Sequence, residues 1–220
     1  MEAKISAFFN WVLGLYNKYV LPKIVHYTCS LKPHMYQRQK VVPLAYGNVL
    51  EIGIGSGLNL SIYDPEKVTK VWGLDPSPEM REMAEKAATK VPFDVEFIEL
   101  PGEEIPLQTN SIDSIVMTYT LCTIPDPLEA LHQMLRVLKP DGKLFFCEHG
   151  IAPDKNVRRW QNHITPVWKR LGGGCHLNRN IPKLIKQSGF HIDSLETMYL
   201  PGWRPATYNY WGTAVKQKLT

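Results

Sequence analysis

The sequence predicts an α/β fold with a doubly wound sheet, mostly parallel and with one antiparallel strand near the carboxyl terminus. Apolar runs typical of strands alternate with amphipathic, helix-like runs from residue 48 to about residue 150, which is typical of a parallel sheet covered on both faces. The chain then ends in two strand-like runs with no helix between them. We therefore expect one of these two strands to run antiparallel to its neighbour.

The expected elements follow from the periodicity of apolar residues. Strands are expected near residues 48–53, 68–74, 94–99, 112–118 and 143–149, and helices near 58–63, 78–89 and 127–138. Ser77 and Pro78 suit the cap and first turn of the second of these helices. The carboxyl-terminal third is expected to hold a helical stretch through Trp160 and Trp168, a helix near 181–188, and strands near 190–198 and 207–216.

Composition limits the class of protein and of partner. A chain of 220 residues suits one domain, since single cores extend to roughly 250 residues. The net charge is +4, but no basic run interleaved with aromatic residues occurs, so nucleic-acid binding is not expected. The four cysteines, at positions 29, 122, 147 and 175, form no CxxC pair. This argues against a metal site and suits a reducing compartment such as the cytoplasm. The oligomeric state stays open.

Residues 1–40 are expected to form an amphipathic helix and a lid segment ahead of the main domain at residues 41–220. Polar residues interrupt the apolar stripe too often for a membrane span, which needs about 20 mostly apolar residues. Two interpretations remain: a lid over the mouth of a site, or a helix lying shallowly in a membrane surface, with Trp11 at the headgroup boundary. The stripe consists of Ile5, Phe8, Phe9, Val12, Leu15, Tyr16, Tyr19 and Val20.

A strand-like run followed by a glycine-rich turn is the most informative motif. Glu51, Gly53, Gly55 and Gly57 form an ExGxGxG pattern, and glycines let a ligand approach the backbone where a Cβ would collide. A dinucleotide-binding GxGxxG turn would need a third glycine at the position of Leu58, so that class is not favoured. The turn indicates a site for another nucleoside.

A second acid follows the second strand-like run. Asp75 comes directly after Val71-Trp72-Gly73-Leu74, and an acid at this position can accept hydrogen bonds from both hydroxyls of a ribose. The alternative is that Asp75 caps the next turn, because Asp-Pro often starts turns. Beside the glycine turn, ribose binding is favoured.

With these motifs the chain resembles the class I S-adenosylmethionine (SAM)-dependent methyltransferases, whose first motif reads ExGxGxG after a buried strand. The resemblance implies a Rossmann-like sheet and SAM as the cofactor. It implies that Glu51 orients the methionine moiety through its ammonium group or a nearby water. Gly53, Gly55 and Gly57 would pass close to the cofactor, and Asp75 would hold the ribose.

The resemblance also implies roles for residues after later strands. Glu103 would lie at the adenine edge, with a solvated loop acid as the alternative. Thr118 begins the segment that contacts the cofactor and floors the methyl-transfer chamber, and Cys122, in the same segment, would line that chamber. The segment lacks the Asn-Pro-Pro-Tyr type of signature used on amide or ring nitrogens, which argues against methylation of bases or glutamine.

His149 is the candidate general base. It ends the fifth strand-like run, at the edge where such sheets place ligands, and an imidazole with a pKa near 6.5 can take a proton at neutral pH. The alternative is a histidine bonded to a neighbouring loop. Trp160 is expected to line the chamber, although core packing is the default for Trp160 and Trp168, two turns apart on one helix.

A narrower resemblance is to the methyltransferase-like small-thiol S-methyltransferases, whose animal members are described as membrane-associated. It implies SAM-dependent methyl transfer to a small lipophilic acceptor, with a thiol sulfur as first choice. The alternatives are N-methylation of a phospholipid or another small molecule, arsenite methylation, and SAM binding by a regulatory protein without turnover. The motifs that carry it are Glu148-His149-Gly150, the Trp-rich helix, Cys175-His176-Leu177-Asn178-Arg179 and Tyr208-Asn209-Tyr210.

Overall fold

Seven strands form one sheet in the part of the chain that this computed structural model describes, residues 11–217. They are β1 (Gly47–Ile52), β2 (Val68–Leu74), β3 (Asp94–Ile98), β4 (Ile112–Thr118), β5 (Leu138–His149), β6 (Phe190–Tyr199) and β7 (Tyr208–Lys216). Their spatial order is β3-β2-β1-β4-β5-β7-β6. The strand order therefore reverses between β1 and β4, which is where sheets of this kind bind ligands.

The expected mixture of strand directions is confirmed. Neighbours among β1 to β5 pair in parallel. Strand β7 pairs antiparallel with both β5 and β6. The reversed strand is thus β7, and it enters the sheet between β5 and β6 because the short helical turn before it lets the chain double back.

The helices match most of the expected ones. They are α1 (Leu21–Ser30), α2 (Lys32–Arg38), α3 (Pro78–Ala88), α4 (Pro127–Val137), α5 (Lys155–Leu171), α6 (Ile181–Gln187) and α7 (Arg204–Thr207). Helix α3 begins as expected, since the Ser77 hydroxyl accepts the Met80 N–H at 3.3 Å and Pro78 opens the first turn. Helix α4 is capped in the same way by Asp126.

Apolar side chains cover both faces of the sheet, as the doubly wound prediction requires. On one face, helices α4 and α6 pack Leu131, Met134 and Ile185 against residues of β1, β4 and β5. On the other face, the segments around Val42 and Tyr63 lie over the opposite side chains of the same strands. Apolar packing on both faces holds the carboxyl ends of the strands in position relative to one another.

The helix expected near residues 58–63 is wrong. This stretch forms successive tight turns, in which Leu60 N–H donates to Gly57 O at 3.1 Å and Ile62 N–H donates to Asn59 O at 2.8 Å. Asn59 is fully buried, and its amide donates to Glu51 Oε1 at 2.9 Å. The need to bring this polar side chain inward overrides the apolar pattern.

The amino-terminal stripe is described from residue 11 onward, and its first members, up to Phe9, lie outside the described residues. Residues 11–15 are helical, Tyr16–Val20 form a π-helical segment, and α1 follows. Tyr16 donates its hydroxyl to Leu171 O at 2.8 Å, which attaches this segment to α5. Across residues 11–217, every helix is too short or too polar to cross a bilayer.

Candidate active site

A cavity of about 290 Å³ lies at the carboxyl ends of β1, β2 and β4. Its walls include the turn after β1, the turn after β2 and the segment after β4. This volume is close to the lower end of small-molecule sites, which occupy about 300–1,000 Å³. The site is therefore where the reversal of strand order predicts it.

The glycine turn and the second acid form one wall of the cavity, as expected. Gly53 and Gly55 both line it, with φ angles of +65° and +54°. Asp75 also lines it, and its carboxylate accepts N–H groups from Gly55 and Ser77, each at 2.9 Å. Burial raises the pKa of Asp75 above its usual value, although these two hydrogen bonds oppose the shift. Asp75 therefore braces the glycine turn and lines the cavity as well, which is compatible with both alternatives, and its contact with a ribose stays a prediction.

Gly57 departs from the expectation that it passes close to the cofactor, because it is not among the residues that line the cavity. Its φ is +77°, and a Cβ there would lie 3.1 Å from Ala84 Cα and 3.1 Å from Ala87 Cβ, on α3. Gly57 thus lets the turn pack closely against a helix.

Glu51 lies behind the cavity wall. Its two carboxylate oxygens accept hydrogen bonds from Asn59 at 2.9 Å and from the Tyr63 hydroxyl at 2.7 Å. Complete burial raises the pKa of Glu51 to about 7, against the effect of these donors. In this arrangement Glu51 positions Asn59, which in turn contacts Thr118, so its influence on a bound methionine moiety passes through neighbouring side chains.

Thr118 lines the cavity at the end of β4, as predicted. Its hydroxyl accepts hydrogen bonds from Asn59 at 3.0 Å and from Arg38 at 2.5 Å. The next residue, Tyr119, has a φ of +56°, which is rare for a residue with a side chain. This strained bend turns the chain after β4 across the cavity floor.

Arg38 is a site residue that sequence reasoning missed. It is 5% exposed, lines the cavity, and donates to Asn59 Oδ1 at 2.9 Å. Its Nε has no protein partner, so a ligand carboxylate is the natural group to complete its hydrogen bonding. Arg38 ends a short helix in the amino-terminal segment, and no motif in that segment distinguishes it from a surface arginine.

Glu103 lines the opposite part of the cavity. One carboxylate oxygen accepts the Asp126 N–H at 2.9 Å, and the other is buried without a partner. SAM carries a carboxylate at its methionine end and an exocyclic amine on its adenine. The unpartnered atoms of Arg38 and Glu103 therefore suit the two polar ends of this cofactor, and the position of Glu103 at the adenine edge stays a prediction.

The amino-terminal segment forms the remaining wall. Val25, His26 and Cys29 of α1 line the cavity, and His26 Nδ1 lies 2.7 Å from the Ser56 hydroxyl in the glycine turn. Burial raises the pKa of the Cys29 thiol above its usual value. Helices α1 and α2 therefore close one side of the cavity, where the sequence predicts a lid.

Trp160 does not line the chamber, and that expectation is wrong. Its side chain is 63% exposed on the outer face of α5. The buried polar residue one position later, Gln161, faces inward instead and bonds Ala152 N at 2.9 Å and Gly150 O at 3.0 Å. Helix α5 is therefore rotated so that its buried side faces the loop after β5.

Cys122, His149 and Cys175 lie together beside the cavity. Cys175 Sγ is 3.3 Å from His149 Nε2, and the three side-chain ligand atoms lie within 4.8 Å of one another. None of these three residues is among those that line the cavity. His149 therefore points to Cys175, and its role as a base acting on an acceptor stays a prediction.

The same cluster has displaced pKa values. Contact with the Cys122 thiol holds the pKa of Cys175 well below its usual value, against the effect of burial, and His149 adds to the shift. The same contact and burial raise the pKa of Cys122. Burial alone would lower the pKa of His149, but Cys175 and Glu148 raise it above its ordinary value.

Comparisons with known proteins agree with the geometry. Residues 50–146 match the methyltransferase domain family. Thiol S-methyltransferase TMT1B of Rattus norvegicus is 36% identical over 174 residues, which cover 76% of this chain and 70% of that protein. Its Homo sapiens counterpart is 33% identical over 195 residues, covering 85% and 79%. The YcgJ protein of Bacillus subtilis shares the fold, with a TM-score of 0.69 at 17% identity over 84% of this chain and 100% of that one.

The sheet order, the glycine turn and the paired acids define a methyltransferase that uses SAM. The chain belongs to the class I SAM-dependent methyltransferases and is close to the thiol S-methyltransferases among them. Gly53, Gly55, Asp75, Glu103 and Arg38 all line the cavity, and the expected roles of the first four in holding the nucleoside stay predictions.

Proposed function

We propose that the chain transfers the methyl group of SAM to the thiol sulfur of a small lipophilic acceptor. The observation that carries this proposal is the 33–36% identity to two thiol S-methyltransferases over more than two thirds of their length. Apolar residues line the cavity on the side of α1, for example Val25, and at its floor, for example Ile124. They suit an acceptor with a hydrophobic carbon chain.

Methyl transfer to a thiol does not require a strong catalytic base. Methyl transfer from a sulfonium is an in-line displacement, and correct alignment alone supplies about 7–11 kcal/mol. An alkyl thiol has a pKa near 8.5, so a few per cent is thiolate at neutral pH and is already nucleophilic. A cavity that aligns the two reactants and excludes water therefore suffices for a thiol, whereas an amine or alcohol needs a stronger base.

The test is a competition among acceptors with the same carbon chain. The purified protein is incubated with SAM and butanethiol, butanol or butylamine, and S-adenosylhomocysteine is quantified. We expect product with the thiol alone, and little product from the Asp75→Asn variant at limiting SAM. Methylation of the amine, or of phosphatidylethanolamine in vesicles, in preference to every thiol would contradict the proposal.

We propose further that the amino-terminal segment contacts a membrane surface without spanning it. On α1, Val25 and Cys29 face the cavity, whereas Ile24 and Tyr27 are 46% and 67% exposed on the outer side. The apolar outer side chains are accompanied by the exposed cations of Lys18, Lys23 and Lys32. Apolar and basic side chains together favour anionic lipid headgroups, and a lipophilic acceptor would reach the lid from such a surface.

Sedimentation with vesicles tests this second proposal. The full chain is expected to pellet with vesicles of phosphatidylcholine and phosphatidylserine, and to do so less at high salt. The double substitution Ile24→Ser and Tyr27→Ser should abolish sedimentation, whereas Leu195→Ser, which removes an exposed apolar side chain on β6, should not. A full-length protein that stays in the supernatant would leave the segment as a lid only.

A further inference from the structure

The cluster of Cys122, His149 and Cys175 has the composition of a cation site. The three residues come from separate segments of the chain: Cys122 follows β4, His149 ends β5 and Cys175 follows α5. No short sequence motif therefore predicts the cluster. Cys122 is buried, while His149 and Cys175 are each partly exposed. The cluster is therefore largely, but not fully, enclosed by protein.

Backbone contacts hold the cluster in shape. The His176 N–H donates to Cys122 O at 2.9 Å, which joins the segment of Cys175 directly to that of Cys122. Arg179 donates to Leu121 O and ties the same two segments together a second time. The side chains are thus brought together by contacts that do not depend on the thiols or the imidazole themselves.

The distances suit a tetrahedral ion. With bonds of about 2.3 Å to sulfur and about 2.0 Å to nitrogen, neighbouring ligand atoms around such an ion lie roughly 3.5–3.8 Å apart. The Cys175 Sγ–His149 Nε2 separation of 3.3 Å and the upper limit of 4.8 Å for all three pairs of ligand atoms are compatible with these values. Two thiolates and one neutral imidazole also balance the charge of a divalent ion, and this ligand set suits zinc.

The surroundings favour a cation as well. Glu148, which directly precedes His149, is fully buried. Its Oε1 accepts the N–H groups of Thr120 at 2.8 Å and Leu121 at 3.1 Å, while its Oε2 has no partner. A buried acid adjacent in the chain to a candidate histidine ligand adds negative charge near the cluster, which favours a cation there.

The cluster borders the cavity. Cys122 lies between Thr120 and Thr123, both of which line the cavity, and Cys175 follows two residues after Gly173, which also lines it. A three-ligand zinc site keeps a fourth position open, as in catalytic zinc centres.

We propose that Cys122, His149 and Cys175 bind one zinc ion, whose open fourth position receives the sulfur of the acceptor. The role given to the fourth position rests on the proposed thiol methylation; the ion site itself does not. It extends the site beyond the residues that hold SAM, and it gives the two cysteines and the histidine a common role.

The resulting step balances. The acceptor thiol releases its proton to solvent when its sulfur binds zinc, because a coordinated thiol is deprotonated. The thiolate sulfur then forms a bond to the methyl carbon of SAM. The sulfonium carbon–sulfur bond breaks, and its electron pair stays on the sulfur of S-adenosylhomocysteine. The charge of the zinc ion does not change.

Metal content provides a test that does not depend on activity. The full chain is produced in zinc-supplemented medium and passed through a desalting column, and zinc is measured by mass spectrometry. We expect about one zinc per chain, and loss of that zinc in Cys122→Ser, His149→Ala and Cys175→Ser. Cys29→Ser is the matched control, because Cys29 lines the cavity but lies outside the cluster, and this variant should retain zinc. Calorimetric binding of S-adenosylhomocysteine verifies that each variant is folded.

Cobalt substitution in the unmodified protein tests the open position without any variant. Cobalt bound by two thiolates should show a thiolate charge-transfer band, and butanethiol should intensify it while butanol leaves it unchanged. Folded protein that retains no zinc and takes up no cobalt overturns the inference, even if thiols are methylated. A cobalt spectrum that no thiol alters overturns the open position. Metal and SAM binding without methylation of any thiol removes the proposed function and leaves the ion site standing.

Discussion

Asn59 and Arg38 are joined by a hydrogen bond of 2.9 Å that connects the turn after β1 to the end of α2. Asn59 also donates to Glu51 on its other side. Through Asn59, the acid of the glycine-turn motif, Glu51, is connected by hydrogen bonds to Arg38, which belongs to no recognisable motif. Arg38 itself lines the cavity.

Arg38→Met should weaken binding of SAM and S-adenosylhomocysteine. The substitution leaves Asn59 Oδ1 without its donor and removes the cation placed for the methionine carboxylate. Hydrogen bonds to charged groups contribute about 1.5–3 kcal/mol, so we expect affinity to fall about 10- to 150-fold in calorimetry. Arg81→Met removes an exposed arginine that pairs with Glu85 on α3 and is the matched control. Equal affinities in the two variants would remove Arg38 from the site.

Asp75→Asn tests the ribose contact. The amide oxygen can accept only one of the two N–H groups, from Gly55 and Ser77, that the two carboxylate oxygens accept, and the side chain loses the charge that attracts ribose hydroxyls. The expected loss of SAM affinity is about 1.5–3 kcal/mol. Asp64→Asn, which changes an exposed acid paired with Lys67, should bind SAM like the unmodified protein. Unchanged affinity in Asp75→Asn would mean that this residue only braces the turn.

Glu51 should make the cofactor-free protein less stable as pH rises. Burial raises the pKa of Glu51 to about 7 in the folded protein, whereas the unfolded value is near 4.3. Between these two values the folded state holds a proton that the unfolded state has released, so the free energy of unfolding falls with rising pH. The loss is nearly complete about one pH unit above 7 and reaches up to about 4 kcal/mol.

The variant Glu51→Gln should remove this pH dependence. The amide keeps an acceptor for Asn59, and the Tyr63 hydroxyl can accept its N–H. Urea denaturation at pH 4.5 and at pH 7.5 should show the variant gaining stability relative to the unmodified protein at the higher pH. A difference between the two proteins that stays constant over this range would contradict the assigned protonation.

Gly57→Ala should destabilise the protein while leaving SAM affinity intact. Its φ of +77° is strained for a residue with a side chain, and the 3.1 Å approaches to Ala84 and Ala87 leave little room for a Cβ. We expect a loss of about 1–3 kcal/mol in the free energy of unfolding. Gly14→Ala is the control, because a Cβ at Gly14 meets nothing within 4 Å, and alanine in a helix should be neutral or stabilising. A stable Gly57→Ala with weakened SAM binding would restore the role first expected for this glycine.

The sheet was predictable because each strand carries its own signal in consecutive residues. Short apolar runs are buried in the core of the sheet, as those that contain Val49, Val71 and Val116 show. The cofactor wall was predictable for a similar reason, since Gly53, Gly55 and Asp75 directly follow strands whose ends meet at one edge.

The remainder of the site depended on contacts between distant segments. Asn59 and Arg38 are distinguished only by the hydrogen bonds they make across the fold, and Trp160 was misplaced because the rotation of α5 is set by Gln161. Cys122 and Cys175 become neighbours through the His176 contact. Such pairings have no period or spacing that a linear reading can detect.

The wall built from Val25, His26, Cys29 and Arg38 lies wholly upstream of the stretch by which the family is recognised. A shortened chain beginning at residue 41 would keep every diagnostic motif and still lack one side of its donor pocket. Substitutions upstream of the first strand of this chain can therefore alter the wall of the cavity itself. The glycine turn alone is therefore not enough to identify a chain that has a complete SAM-binding cavity.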